Sequence, residues 1–331
     1  MKRRDALATV GALAVAGTHQ VWAQQPIVIK FSHVVANDTP KGKGALKFKE
    51  LAEKYTGGKV KVEVYPNSTL YKDKEEMDAL NSGSVQILAP STAKFRPIGV
   101  PEFEVMDLPY IFNGQAGYEK IVDGPIGKSL FKKLETKGIT GLAYWDNGFH
   151  MVSANKPLLM PADFQGLKIR ISGSKIADLY FRALGALPQI MAFSEVYQAL
   201  QTGVLDAGFT GVKAANSRKF YEIQKYGVAS NIILAFDNLV VNPAWWNGLP
   251  ADVRNAIQQA ADRAVQRSIG TSDSVPPEDV KVLNQKGMQA IALTKAQEKA
   301  MADAMQPAVK KEFLRETAPD GVKLLEMINR L

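Results

Sequence analysis

Few residues of this sequence have the type and spacing to do chemistry, and the first to stand out is an arginine in a strand. In Leu167-Lys168-Ile169-Arg170-Ile171 apolar residues alternate with two cations. The alternation puts Arg170 beside Lys168, on the face opposite Ile169 and Ile171. Taken alone, it describes an arginine facing water. The chemistry open to such a residue is the capture of a carboxylate, because its planar fork offers two parallel N–H donors to two oxygens. Bond-making has less to work with. The chain has no cysteine and three histidines, His19, His33 and His150. No His-Glu-x-x-His, Gly-x-Ser-x-Gly or Gly-Lys-Ser/Thr phosphate loop occurs. Gly42-Lys43-Gly44 looks like part of a dinucleotide loop but lacks the third glycine. No catalytic residue, metal site or cofactor is therefore expected, and the chain is read as a non-enzyme.

The N-terminus sets the compartment. Lys2-Arg3-Arg4 precede an uncharged run of Ala, Leu, Val and Gly, and Val21-Trp22-Ala23 suits a cleavage site. This predicts a signal peptide over residues 1–23 and a periplasmic protein, with the general and twin-arginine routes both open. The apolar run is about a dozen residues, short of the roughly 20 that span a bilayer. Without disulfides, an exported chain depends on burial, and 46% hydrophobic residues suffice for two cores. The net charge of +8 is spread along stretches such as 41–53 and 71–78, where acids and bases alternate as on solvated helix faces. That pattern argues against a nucleic-acid partner.

The elements that must position Arg170 are of α/β type. Ile27, Ile29 and Phe31 alternate as a strand, 44–55 has helical spacing ended by Gly57-Gly58, and Val60, Val62 and Val64 alternate again. Such a β-α-β start predicts a parallel or mixed sheet with helices on its faces. Met191 to Tyr226 reads as helix, turn, strand, helix: Ser194 as the helix cap, Gly203 as the stop, a strand from Val204 to Phe209, then an amphipathic helix through Phe220, Ile223 and Tyr226. Val253, Ile257, Ala260, Ala264 and Val265 draw the apolar stripe of a long helix from Ala251 to Ile269, and Pro276-Pro277 should interrupt it or begin another.

The same words carry a resemblance. Val64 to Gln86, Gly141 to Phe149, Phe164 to Ile171 and Met191 to Tyr226 resemble the DctP-type solute-binding proteins of TRAP transporters, and Phe31 to Ala45 resembles their C4-dicarboxylate branch. The resemblance implies two α/β lobes around a central cleft, mixed sheets flanked by helices, and a long helix bridging the lobes. It places residues 24–147 and 236–275 in lobe I, and 148–235 and 276–331 in lobe II. It makes Arg170 the partner of a substrate carboxylate and His150 a second anion partner, where relatives carry arginine or lysine. Thr210 stands where many relatives have an asparagine that contacts ligand, with Phe209 adding an aromatic face. Phe193 would pack on the solute, Ser91 and Thr92 would reach it from lobe I, and Phe149 and Trp145 would line the cleft. The expected partners are a small organic carboxylate and the small and large membrane subunits of a TRAP transporter, met as a monomer. Two ligand classes stay open, a C4-dicarboxylate and a monocarboxylate with an apolar or aromatic tail. An exported enzyme acting on such acids, or delivery to a sensor kinase, are the rival readings.

Overall fold

The computed structural model describes residues 25–111, 114–264 and 275–330. The expected signal peptide lies outside them, as does any continuation of the helix Ala251–Ala264 toward Ile269. Ten strands form among the described residues: β1 (Ile27–Ser32), β2 (Val60–Tyr65), β3 (Ile87–Leu88), β4 (Thr140–Ala154), β5 (Lys168–Ile171), β6 (Leu187–Ile190), β7 (Ala207–Gly211), β8 (Tyr226–Ala229), β9 (Leu234–Val241) and β10 (Gln289–Ala292).

The opening β-α-β unit forms as its pattern predicts. β1 and β2 run parallel, Ile27 beside Val60 through Ser32 beside Tyr65, joined by the helix Pro40–Tyr55. Thr39 caps that helix through Oγ1, accepting from the Gly42 amide at 3.2 Å, and Pro40 supplies a first turn with φ already fixed. Gly42 is no phosphate loop. A side chain there would overlap the Ala36 carbonyl oxygen, so glycine lets the preceding loop fold onto the helix start.

β4 joins two sheets. From Thr140 to Phe149 it pairs antiparallel with β9, which pairs with β3, then β1 and β2. From His150 it pairs with β7 on one side, and from Val152 with β8 on the other. The second sheet continues through β5 and β6 at one end and β10 at the other. The partner changes where the strand bends. The register slips between Asp146 and Gly148, Gly148 takes φ 79°, and Asp146 Oδ1 accepts its amide at 2.6 Å. The result is a mixed α/β molecule with two lobes, one per sheet.

Three expectations are corrected. Tyr226 opens β8 and the helix after β7 is only Val212–Ser217, because Lys219 adopts a left-handed conformation and sends Phe220–Glu222 into a single 3-10 turn. Ser194 caps nothing. The chain enters the helix Val196–Gln201 through a 3-10 turn, and the Ser194 hydroxyl is buried without a partner. The strand expected at Val204 starts at Ala207, and Val204 is 56% exposed. Pro277, by contrast, starts a new helix, Pro277–Gln285. The long C-terminal helix Lys295–Thr317 lies between the helix Lys175–Ala183 and the 3-10 segment Pro101–Asp107.

Candidate functional site

The cleft between the lobes is nearly closed, with about 60 Å³ open to water. Its lining includes Arg170, His150, Thr210 and Phe193 from one wall and Lys41, Asp73, Glu76, Ser91, Lys94 and Asp237 from the other. Direct contacts cross it. Asp73 Oδ2 accepts the Phe193 amide at 2.8 Å, Lys94 Nζ donates to the Ser172 carbonyl at 3.2 Å, and Ser217 Oγ bonds Asp38 at 2.6 Å.

Arg170 is 4% exposed while Lys168 on the same strand is exposed. β5 lies inside its sheet, so the face opposite Ile169 and Ile171 opens into the cleft at Arg170 and reaches bulk water only at the strand end. The side chain is fixed by one edge. Nε donates to the Met191 carbonyl at 3.0 Å, and the guanidinium lies 5.6 Å from the centroid of the Phe193 ring. No carboxylate of the described residues lies within ion-pair distance of Arg170. Burial lowers its pKa, with Asp73 opposing, but an arginine remains charged. A buried cation with most of its donors uncommitted is costly unless something anionic completes it.

The opposite wall is crowded with charge. Lys41 Nζ sits 2.8 Å from Asp237 Oδ1 in an ion pair with both side chains buried. Lys94 pairs with Asp73 at 3.0 Å. Burial pushes the Asp73 carboxyl up, but Lys94, Arg170 and the Phe193 amide outweigh it and hold the group below its ordinary range. Glu76, in the first turn of the helix Glu76–Asn81, is 3% exposed. Among the described residues no hydrogen bond or ion pair reaches its carboxyl group.

His150 does not supply a charge. Its Nδ1 is buried without a partner, its ring packs edge-on against Phe209 at 4.7 Å, and burial together with Arg170 pushes its pKa down to about 3. At neutral pH it is a neutral ring beside a cation. Phe209 turns away from the cleft, because neighbouring residues of β7 face opposite sides: Thr210 lines the cleft, while Phe209 packs with Tyr180 and Phe181 in the core. Phe149 lies at the strand bend, with Pro40, Val212 and Pro276. Thr92 donates to Asp107 at 2.7 Å and Trp145 is core, its Nε1 donating to the Ala261 carbonyl at 3.3 Å.

The structure thus gathers five of the nine residues singled out, Arg170, His150, Thr210, Phe193 and Ser91, and places Phe209, Phe149, Thr92 and Trp145 outside the cleft lining. Lys41, Asp73, Glu76, Lys94 and Asp237 were missed. Lys41, Asp73 and Glu76 sit in stretches whose alternating charges read as solvated faces, Lys94 and Asp237 stand singly outside them, and only the tertiary fold covers all five. Among the described residues no three His, Cys, Asp or Glu side chains converge to hold a metal ion.

A shared strand bent between two α/β lobes, with an unmatched cation in the cleft they enclose, defines a two-lobed ligand-binding protein. The chain belongs to the bacterial extracellular solute-binding protein family 7 (DctP), whose family model matches residues 31–316. It is 54% identical over 292 residues to the C4-dicarboxylate-binding periplasmic protein DctP of Rhodobacter capsulatus, covering 88% of this chain and 85% of that one. A TRAP periplasmic solute-binding protein from Shewanella oneidensis, solved with bound succinate, superposes with TM-score 0.85 at 37% identity, over 92% of this chain and 99% of the other. One from Pseudomonas aeruginosa with bound L-malate gives TM-score 0.78 at 34% identity, over 86% and 100%.

Proposed function

We propose that the protein captures a C4-dicarboxylate such as succinate or malate in the periplasm and presents it, as a monomer and without transforming it, to the small and large membrane subunits of a TRAP transporter. The observation that carries this reading is Arg170, a buried guanidinium fixed at Nε with its remaining donors left for a ligand carboxylate. The high identity to a C4-dicarboxylate-binding relative supports the choice of acid. In chain terms, residues 24–147 with 236–275 form one jaw, and 148–235 with 276–331 the other. Chemistry on the bound acid has little support, since the hydroxyls and neutral histidine around Arg170 form no nucleophile–base pair.

A monocarboxylate with an apolar tail is the second reading. It is favoured by the neutral His150, which leaves Arg170 the one cation that its wall contributes to the cleft lining among the described residues. A thermal-shift screen separates the two, because a ligand that binds only the folded state raises the melting temperature. Succinate or malate at a hundred times Kd should raise it by about 5 °C. A response confined to monocarboxylates would select the second reading, and a product accumulating in the mixture would overturn the non-enzymatic one.

A further inference from the structure

The charges lining the cleft leave one acid unexplained. Of the cations, Lys41 is matched by Asp237 and Lys94 by Asp73, and Arg170 awaits the ligand. Glu76 remains, buried at 3% exposure, lining the cleft from the wall opposite Arg170, its carboxyl group reached by no hydrogen bond or ion pair among the described residues. The charged groups that face it are Lys41 from the helix Pro40–Tyr55, Asp73 from the preceding loop, Lys94 from the 3-10 turn Thr92–Lys94, and Asp237 from β9. His150 and Arg170 stand across the gap. Were Glu76 ionised, its charge would offset that of Arg170 and the cleft would offer an incoming anion no net attraction.

We propose that Glu76 meets the bound acid as an undissociated carboxyl group, donating its O–H to the end of the ligand that Arg170 does not hold, so that capture of the acid and retention of this proton are one event. The proposal rests on the carboxylate-binding reading above. With Glu76 neutral the lining carries one net positive charge. A monoanion balances it, and a dianion fits by accepting the Glu76 proton in a short carboxyl–carboxylate hydrogen bond. The second group of the ligand is then selected as a hydrogen-bond acceptor, whether carboxylate, carbonyl or hydroxyl, in a place where a second unmatched cation would have demanded a carboxylate. Burial, partly opposed by Lys41, pushes the Glu76 pKa up to about 8, in keeping with a proton that stays at neutral pH.

The experiment is titration calorimetry of the mature protein with succinate from pH 6 to 9, repeated at pH 8 in two buffers of different ionisation enthalpy. Affinity should be flat below about pH 7 and fall about tenfold between pH 7 and 9, because the free protein must regain the proton to bind. The buffer pair should report about half a proton taken up at pH 8. Glu76→Gln keeps an N–H donor and cannot titrate, so it should bind at near wild-type strength with no such fall and no proton uptake. Glu76→Ala should bind more weakly at every pH. Wild-type affinity independent of pH, or a fall that persists unchanged in Glu76→Gln, would overturn the assignment to Glu76 while leaving the carboxylate reading in place. Failure of succinate, malate and monocarboxylates alike to bind wild type at any pH would remove both.

Discussion

The two walls of the cleft hold charge in opposite ways. The wall built from the first sheet carries five ionisable side chains, yet its two lysines are already spent on Asp237 and Asp73. The wall built from the second sheet lays two guanidiniums against Phe193, and the one that lines the cleft, Arg170, stands beside a histidine held neutral by burial and has no ion-pair partner among the described residues. Attraction for an anion is set by which charge is left over, and a crowd of paired charges contributes rigidity and dielectric order instead. The sparse wall is therefore the anchoring wall. The crowded one shapes and tunes what Arg170 holds.

Removing the anchor should give the largest effect. Arg170→Ala is expected to weaken succinate binding about a thousandfold, near 4 kcal/mol, by calorimetry. The unliganded protein should keep its fold, because Lys94 still matches Asp73. Affinity within tenfold of wild type would move the anchor to the other wall and reverse the comparison.

Acid should act next, on a histidine in each lobe. Burial pushes His150 and His33 down to about 3, with Arg170 and Lys41 respectively adding to the effect. A depressed pKa contributes stability that is present above the ordinary value near 6.5 and is lost as pH falls toward 3. Chemical denaturation at pH 7 and pH 5 should therefore differ by about 2 kcal/mol for each histidine. His150→Gln should remove one share and His33→Gln the other. Equal slopes in wild type and both variants would show that neither ring is held neutral.

The smallest effects separate neighbours on β7. Thr210→Asn should shift preference a few-fold toward polar acids in competitive titration with little change in melting temperature, since Thr210 lines the cleft. Phe209→Leu should cost about 1 kcal/mol of stability and leave the ligand ranking alone, since the ring belongs to the cluster with Tyr180 and Phe181. A changed ranking in Phe209→Leu would restore it to the site.

Much of the framework was readable before folding. The alternation in β1 and β2 and the helical spacing over 44–55 are local signals, and they pointed to the β-α-β unit whose strands pair in parallel. Arg170 was legible as a residue, but not as buried, because period-two alternation separates two faces without saying which of them another lobe will cover. The same limit hid Asp237 in β9, and its helical counterpart hid Lys41 and Glu76, whose first-turn positions do not say what will cover them. Phe209 failed for the complementary reason: its neighbour Thr210 faces the cleft, and one step along a strand reverses the side chain. The helix expected through Tyr226 failed because apolar spacing over so short a run suits a turn followed by a buried strand as well as a helix.

The bend at Gly148 has a mechanical meaning. Where β4 leaves the first sheet, Phe149 still pairs with Leu234, and the His150 amide donates to the Ile233 carbonyl at 3.1 Å, so both chain crossings at this point are rungs of one ladder. A two-stranded ribbon twists readily but resists shear, because sliding one strand past the other would break every rung at once. A joint of this kind favours rotation about the ribbon over sliding. Were the lobes to part and close again, such a joint would return Arg170 and Glu76 to one separation and so act as a gauge for the length of a molecule caught between them.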